Sequence, residues 1–301
     1  MPTPLPPVAM TGEQAAFGVP HSSLRHSGSR MMSGANTTPG SQTMFRCLFF
    51  LSLYALSLPV SAQITRTIDL PTRAGVNQRI LVISPEHPKA AVVLFAGGDG
   101  ALMLDTDGRI NKLAGNFLIR SRQRFVDAGF TTVAIDAPSD LPHLSGSRQT
   151  AEHVADVKAV IAWLRTQTKL PVWLIGTSRG TQSVGYVATQ LTTPAEGGPE
   201  GIVLTASIVN DSRTRAVPRM DLDRIRIPVL VAHHRQDSCR VCRFEDVPLL
   251  MDKLTTPPRK ELMVFDGGVS VGDPCQARAY HGFNGIETEV VSKIAGWILK
   301  P

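Results

Sequence analysis

One stretch of the sequence, Pro171 to Gly185, restricts the fold more than any other part of the chain. It opens with a short apolar run, Val172 to Ile175, whose length is typical of a buried strand. The pentapeptide Gly176-Thr177-Ser178-Arg179-Gly180 follows at once, and the small residues after it, through Thr189, favour a helix. The sequence therefore predicts a strand, a sharp turn and a helix in immediate succession, with glycines where side chains would collide with the packed elements.

This turn has the Gly-x-Ser-x-Gly spacing and the strand–turn–helix context of a nucleophile elbow. Ser178 is then the predicted nucleophile, standing above the sheet at the N-terminus of the helix. Arg179 is predicted to donate its backbone N–H to an oxyanion. A five-residue match also arises by chance, so an ordinary Gly/Ser-rich turn is the competing interpretation, and the surrounding chain must decide between the two.

Predicted strands and helices alternate over residues 63–301, which indicates an α/β domain with a mostly parallel sheet. We find no internal repeat and no linker in this range, and residues 210–226 are too few for a large lid domain, so we expect one domain with an open site. The predicted strands are 63–70, 79–84, 90–95, 130–135, 172–175, 202–209, 227–232 and 262–265, and the helices are 115–128, 149–168, the segment through 189, 244–254 and 288–299.

The N-terminal part of the chain has a different composition. Residues 1–43 are rich in Pro, Ser, Gly and Thr with almost no acidic residues, which predicts a disordered extension. Residues 44–62 resemble a signal peptide, with a basic start, an apolar run from Cys47 to Val60 and small residues before Gln63. The run is shorter than the ~20 apolar residues of a spanning helix, so an uncleaved anchor is the minority interpretation. We expect an exported protein, periplasmic or secreted, and a start at Met44 would leave residues 1–43 untranslated.

Composition and charge exclude several classes of partner. The formal net charge is +6, but the sequence has no run of Lys and Arg and little aromatic interleaving among the basic residues. This pattern indicates a solvated, mildly basic surface and not a nucleic-acid interface. We expect a small-molecule partner, no stable membrane insertion after signal cleavage, and neither a cofactor nor a metal.

A serine nucleophile needs a base and an orienting acid, which loops at the carboxyl ends of later strands supply. Asp237 follows the predicted strand 227–232, and His281 follows the strand 262–265 just before the last helix. The chain order serine, acid, histidine therefore predicts the triad Ser178–Asp237–His281. The rival acid is Asp211, and His281 has the alternative of capping the last helix. The other histidines of the region fit less well: His143 and His153 precede the nucleophile, and His233 and His234 lie on the acid loop.

A Gly-rich loop, residues 96–100, follows the apolar strand 90–95. Glycines there let backbone N–H groups approach a ligand closely, and the absence of a following Gly-Lys-Ser/Thr disfavours a phosphate loop. We expect this loop to supply the second oxyanion N–H, from Gly98 or, next, from Asp99. A plain flexible turn is the alternative.

Four segments together carry a resemblance to a known family: FAGGDG (95–100), GTSRG (176–180), HHRQD (233–237) and YHGF (280–283). Residues 90–301 resemble α/β-hydrolase-fold serine hydrolases, in particular the small, lidless, exported bacterial enzymes of the esterase and dienelactone-hydrolase type. The resemblance implies an eight-stranded, mostly parallel sheet with helices on both faces and hydrolysis of ester or amide bonds. Ala96 departs from the lipase and esterase pattern, in which a histidine precedes the Gly-rich loop, and this leaves the substrate open.

Three cysteines remain after signal cleavage: Cys239, Cys242 and Cys275. If the triad is right, the acid and base loops are neighbours, and a Cys239–Cys275 or Cys242–Cys275 disulfide would join them in an oxidising compartment. A zinc site made from these cysteines and His281 is the sharper alternative, although it would take His281 away from Ser178. Unpaired thiols are the third interpretation.

Two functional alternatives remain at this point. An amidase or peptidase would use the same triad as an esterase, and nothing in the sequence separates them. An exported binding protein with a degenerate triad is the non-catalytic alternative, and the presence of all three residue types argues against it.

Overall fold

The computed structural model describes residues 63–212 and 216–300. The predicted extension 1–43, the predicted signal peptide 44–62 and Cys47 lie outside the described residues. None of the helices among the described residues combines the length and the hydrophobicity that a membrane-spanning helix requires.

Eight strands form one sheet in the order β1-β2-β4-β3-β5-β6-β7-β8. β2 is antiparallel to both of its neighbours, and all the other neighbouring pairs are parallel, as predicted. The strands are β1 Ile64–Arg73, β2 Val76–Ser84, β3 Ala90–Phe95, β4 Phe130–Pro138, β5 Val172–Thr177, β6 Gly201–Thr205, β7 Val229–His234 and β8 Lys260–Phe265.

Helices cover both faces of the sheet, because the central strands are apolar on both sides. Alternate residues of β3 show this directly: Ala91, Val93 and Phe95 pack with α3 and α4, whereas Ala90, Val92 and Leu94 pack with α1, α2 and α6. The helices are α1 Phe117–Arg120, α2 Arg122–Asp127, α3 Ala151–Thr168, α4 Gly180–Gln190, α5 Val247–Lys253 and α6 Glu287–Ile298.

Several predicted boundaries change in the structure. The predicted helix 115–128 is broken at Ser121, a buried residue that separates α1 from α2. Strand β6 ends at Thr205 and not at residue 209, because Ala206 takes a φ of 44°, which turns the chain out of the extended conformation. Strand β4 continues beyond its predicted end at residue 135 and includes Asp136, whose buried carboxylate accepts the backbone N–H groups of residues 102–104.

Candidate active site

The turn around Ser178 is held by backbone contacts. Ser178 has a φ of 52°, a left-handed conformation that costs a non-glycine residue of order 1–3 kcal/mol. Its N–H donates to the Thr205 carbonyl at 3.0 Å, and its own carbonyl accepts from Thr181 N at 2.9 Å as α4 begins. The strained turn therefore persists because β6 and α4 hold the backbone on both sides of it.

The two glycines of the turn leave no room for a side chain. A Cβ at Gly176 would stand 2.5 Å from the Gly180 carbonyl oxygen, and a Cβ at Gly180 would stand 2.1 Å from the Phe95 carbonyl oxygen. Both distances are far below van der Waals contact, so only glycine lets the strand, the turn and β3 approach this closely. The steric role that the sequence predicted for these two glycines is confirmed.

The acid and base candidates meet at the carboxyl ends of β7 and β8. Asp237 lies three residues after the end of β7, and His281 lies in a short 3₁₀ turn, Tyr280–Gly282. The His281 Nδ1 atom is 2.9 Å from Asp237 Oδ2, and both side chains are buried. The second carboxylate oxygen of Asp237 accepts the backbone N–H of Cys239 at 3.0 Å. This arrangement directs the remaining ring nitrogen of His281, Nε2, away from the carboxylate.

The two histidines predicted to lie on the acid loop belong to strand β7. The ring of His233, which is fully buried, has its Nε2 3.4 Å from Asp237 Oδ2 and 2.7 Å from the Cys242 carbonyl oxygen. His234 stacks on Tyr280 at 4.5 Å between ring centroids, which helps to fix the turn that carries His281. The strand thus places one imidazole against the carboxylate of Asp237 and another against the turn that carries His281.

The pKa of Asp237 reflects this environment. Burial raises the pKa of the carboxyl, but hydrogen bonds from His233 and His281 outweigh the burial and lower the pKa to about 2. Asp237 is therefore a carboxylate throughout the neutral range. The rival acid, Asp211, is also buried, and its carboxylate lies 3.5 Å from the Arg179 guanidinium.

The Gly-rich loop (residues 96–100) passes directly over Ser178. A Cβ at Gly97 would stand 2.9 Å from Ser178 Cβ, so the loop backbone packs against the serine side chain. The buried Arg148 holds this loop from behind, donating to the Ala96 carbonyl at 3.0 Å and to the Gly98 carbonyl at 3.4 Å. Burial lowers the pKa of Arg148 to about 9, with Arg179 acting in the same direction.

A pocket of about 240 Å³ joins these parts. Ser178, Arg179, Gly98 and His281 all line it, whereas Asp99 is not among its lining residues and instead pairs its carboxylate with Lys112. A larger cavity of about 370 Å³ lies beside Arg79 and Asp136, but that carboxylate is already occupied by backbone N–H groups. Of these two cavities, the smaller pocket is therefore the one whose lining residues could carry out a reaction.

The disulfide joins Cys239 to Cys275, which resolves the two pairings left open by the sequence. Cys239 is two residues from Asp237 and Cys275 is six residues from His281, so the bond links the acid loop to the base loop. Cys242, also a disulfide candidate, is a free and buried thiol. Burial raises the pKa of this thiol well above the ordinary value and the Asp237 charge adds to this, whereas the Arg179 charge and a hydrogen bond with the Ser178 side chain partly offset it.

Sequence reasoning missed three residues of the site. Arg148 left no recognisable signal, because its contacts with Ala96 and Ser183 join segments that are remote in the chain. His233 was visible four residues before Asp237, but its contact with that carboxylate depends on how the loop after β7 turns back toward the strand. Asn116 left a weak signal in the sequence, since an asparagine before an apolar helical stretch is typical of an N-cap. Its Oδ1 accepts from Leu118 N at 3.2 Å, and its Nδ2 lies 3.3 Å from where a Gly97 Cβ would stand, at the pocket wall.

Comparison with known proteins identifies the fold. A scan against protein-family models gives no match, and a search of curated proteins by sequence gives none either. Among solved structures, the chain is similar to an esterase from Pyrococcus furiosus (15% identity, TM-score 0.55, 78% of this chain and 91% of that one). It is also similar to a dienelactone hydrolase from Anabaena variabilis (15%, 0.54, 79% and 97%) and to an alpha-beta serine hydrolase homologue from Coxiella burnetii (17%, 0.53, 79% and 97%). With the strand order described above, these similarities establish the α/β-hydrolase fold that the sequence segments suggested.

Proposed function

We propose that this protein, which has the α/β-hydrolase fold, is an exported serine hydrolase that cleaves ester bonds through Ser178, His281 and Asp237. One observation carries the proposal. The His281 imidazole, held by the 2.9 Å hydrogen bond to Asp237, lines the same pocket as Ser178, which stands on its left-handed turn. A nucleophile, a base and an orienting acid in this relation are the requirement of acyl transfer.

The first half of the reaction acylates the serine. His281 Nε2 takes the proton of Ser178 Oγ as that oxygen attacks the ester carbonyl carbon. Asp237 holds the imidazole in the tautomer that has Nδ1 protonated, and its charge stabilises the imidazolium that forms. His281 then gives the proton to the departing alcohol, which leaves an acyl-enzyme on Ser178.

The negative charge on the carbonyl oxygen forms beside two backbone N–H groups. Arg179 contributes one at the start of α4, where the positive end of the helix dipole also favours an anion. Gly98, which lines the pocket, contributes the other, and Arg148 behind the loop keeps this donor in position. One such donor supplies about 2.7–4 kcal/mol of transition-state stabilisation.

Water completes the cycle. His281 Nε2 accepts a proton from a water molecule that attacks the acyl carbon, and it returns that proton to Ser178 Oγ as the acid product leaves. The access route is short, because the chain between β6 and β7, where described, contains only two short 3₁₀ turns, Val217–Arg219 and Leu222–Arg224.

The size and walls of the pocket support a small substrate. Its volume of about 240 Å³ suits an ester of modest size, and Leu113, Phe117 and Ile208 give it an apolar side. We place ester ahead of amide hydrolysis because proteins with this fold in the comparisons include an esterase and a dienelactone hydrolase. A panel of short-chain esters and matching amides tests this preference for esters, and faster turnover of the amides would contradict it.

The Cys239–Cys275 disulfide supports the exported location, because such bonds persist in oxidising compartments. The corresponding test is N-terminal sequencing of protein recovered from the periplasm or the medium, where we expect the mature chain to begin at Gln63. Recovery of the chain only from the cytoplasm, with residues 44–62 intact, contradicts export.

The central experiment is labelling of the folded mature protein with a fluorophosphonate probe, which reacts with activated serines. We expect labelling of the wild type, none of Ser178→Ala, and a sharp decrease in His281→Ala. Ser145→Ala, at an exposed serine away from the pocket, is the matched control and should label like the wild type. A wild-type protein that is folded by circular dichroism but does not label would exclude the serine hydrolase.

A further inference from the structure

Three sulfur atoms and one imidazole crowd the floor of the pocket. The ligand atoms of Cys239, Cys242 and His281 lie within 4.8 Å of one another, and all three residues are buried. The sulfur of Cys275 belongs to the same group, because it is bonded to that of Cys239. While the disulfide is intact, two of the sulfurs are not available as thiolates, and the reaction proposed above does not use the third.

We propose that reduction of the Cys239–Cys275 disulfide converts this cluster into a zinc site with three cysteine ligands and one histidine ligand. Thiolate and imidazole are the donors that Zn²⁺ prefers in a four-coordinate site, and Cys239 and Cys242 have the C-x₂-C spacing that is typical of zinc ligands. Tetrahedral coordination at 2.0–2.3 Å requires donors roughly 3–4 Å apart. The ligand atoms of Cys239, Cys242 and His281, which lie within 4.8 Å of one another, therefore need only small side-chain movements to reach these separations.

The surroundings of His281 fit a metal ligand. Its Nδ1 is hydrogen-bonded to Asp237 at 2.9 Å, so Nε2 is the nitrogen left for a metal, and His281 lines the pocket together with Cys239 and Cys275. Histidine ligands of zinc commonly donate their other ring N–H to a carboxylate, which fixes the tautomer and makes the free nitrogen more basic. The hydrogen bond that prepares His281 as a base also prepares it as a ligand.

The site also has an entrance. Cys239, Cys275 and His281 line the pocket that opens to solvent beside Ser178, and Cys242 lies beneath them with no exposed surface. The metal therefore reaches three of its ligands from the pocket before it contacts the fourth. Cys242, a neutral thiol in the metal-free protein, loses its proton on binding because a coordinated thiol is deprotonated.

The chemistry balances with a water-soluble phosphine as the reductant. The phosphine takes an oxygen from water and becomes its oxide, while the disulfide sulfurs accept the two electrons and are released as two thiols. The three thiols then lose one proton each to solvent as Zn²⁺ binds, and His281 binds through the lone pair of neutral Nε2.

One consequence for catalysis rests on the proposed function. Zinc on His281 Nε2 occupies the lone pair that would accept the Ser178 proton, so the zinc-bound protein is an inactive hydrolase. In the disulfide form two of the four ligands are missing, and the hydrolase is insensitive to the same zinc concentration. The cluster would thus couple the activity to the redox state of its surroundings.

The test measures metal binding without any substrate. The mature protein is titrated with Zn²⁺ against a chromophoric chelator in its disulfide form and after phosphine reduction, and Co²⁺ is used in parallel because its visible spectrum reports tetrahedral thiolate coordination. We expect the reduced protein to bind one Zn²⁺ at least 100-fold more tightly than the disulfide form. Cys242→Ser and His281→Gln should each remove most of that gain, whereas His87→Gln, at an exposed histidine, should retain it.

Equal zinc affinity in the two redox forms, or reduced Cys242→Ser binding as tightly as the reduced wild type, would overturn the inference. If reduction unfolds the metal-free protein, Zn²⁺ must restore its native circular dichroism, since binding to unfolded thiols does not. Failure to restore it also overturns the inference. Zinc binding in a protein whose disulfide form never labels with the fluorophosphonate removes the proposed function alone. Labelling without zinc binding removes the zinc site alone.

Discussion

The turn at Ser178 and the pair formed by Asp237 and His281 are the two halves of the proposed active site, and they are held in different ways. The turn at Ser178 is shaped by close backbone packing, with glycines at 176 and 180 against neighbouring carbonyls. Asp237 and His281 are 44 residues apart, and a hydrogen bond, the Cys239–Cys275 disulfide and His233 bring them together. The turn at Ser178 is therefore sensitive to added side-chain volume, whereas the Asp237–His281 pair is sensitive to charge, pH and redox state.

The largest effect should come from Asp237→Asn, which keeps the shape of the side chain and removes its charge. The amide favours the wrong imidazole tautomer and cannot stabilise the imidazolium, so we expect kcat for ester hydrolysis to fall by about 10⁴. Asp211→Asn is the matched control, because Asp211 is equally buried and pairs with Arg179. Steady-state kinetics checks both, and an equal loss in the two variants would contradict the assignment of the acid.

Gly180→Ala tests the turn at Ser178, because the substitution adds side-chain volume and no charge. The new methyl would stand 2.1 Å from the Phe95 carbonyl oxygen, so β3 and α4 must separate. We expect the free energy of unfolding to fall by about 4 kcal/mol, in the range of severe backbone clashes. Gly296→Ala in α6 is the control, since nothing lies within 4 Å of its Cβ position, and it should stabilise by about 0.5–1 kcal/mol. Urea unfolding measures both, and equal stabilities would show that the turn tolerates side chains.

Replacing Cys239 and Cys275 together by serine tests the covalent link between the acid and base loops. The bond closes a loop with a sequence separation of 36, so its removal should lower the free energy of unfolding by about 4 kcal/mol. Ser178 lies outside that loop, and Gly176 and Gly180 keep their packing. Urea unfolding with and without reductant provides the measurement. The wild type should lose stability on reduction and the variant should not, and a variant as stable as the oxidised wild type would exclude the bond as a structural element.

Acid should weaken the acid–base half specifically. The pKa of Asp237 is lowered to about 2 in the folded protein, so its carboxylate stabilises the fold above about pH 4, and this contribution is lost as the pH falls through about 2. We expect the stability difference between the wild type and Asp237→Asn to shrink by about 2 kcal/mol between pH 5 and pH 2. Chemical unfolding at several pH values tests this, and a constant difference would mean that the pKa is not lowered.

The smallest expected effect concerns the Gly-rich loop, residues 96–100. Arg148→Lys keeps a positive charge but loses the planar guanidinium that donates to the Ala96 and Gly98 carbonyls. The oxyanion donor of the loop should then be held less firmly, so kcat should fall about tenfold with little change in KM. Arg122→Lys, at a guanidinium outside the pocket, is the control. A loss confined to KM would indicate a role in substrate binding and not in positioning.

The difference between the two halves of the site also explains which of their parts could be predicted from the sequence. The Gly-x-Ser-x-Gly turn, the Gly-rich loop and the alternation of strands and helices were recognisable, because each depends on residues close together in the chain. Asp237 and His281 could be proposed from their places after two strands, since parallel strands present their carboxyl ends at one edge of the sheet. The choice between Gly98 and Asp99 as the second oxyanion donor stays a prediction: Gly98 lines the pocket, Asp99 is not among its lining residues, and the Asp99 side chain pairs with Lys112.

The sequence by itself determined the fold class, the position of Ser178 and the order of the catalytic candidates, because steric rules and hydrophobic periodicity act over a few residues. Only the tertiary structure decided which cysteines pair, that His233 supports Asp237, and that Arg148 holds the Gly-rich loop. The disulfide and the Arg148 contact join remote segments, and the contact of His233 with Asp237 depends on how the loop after β7 turns back toward its strand. Their partners depend on how the loops dock at the edge of the sheet, which no local pattern specifies.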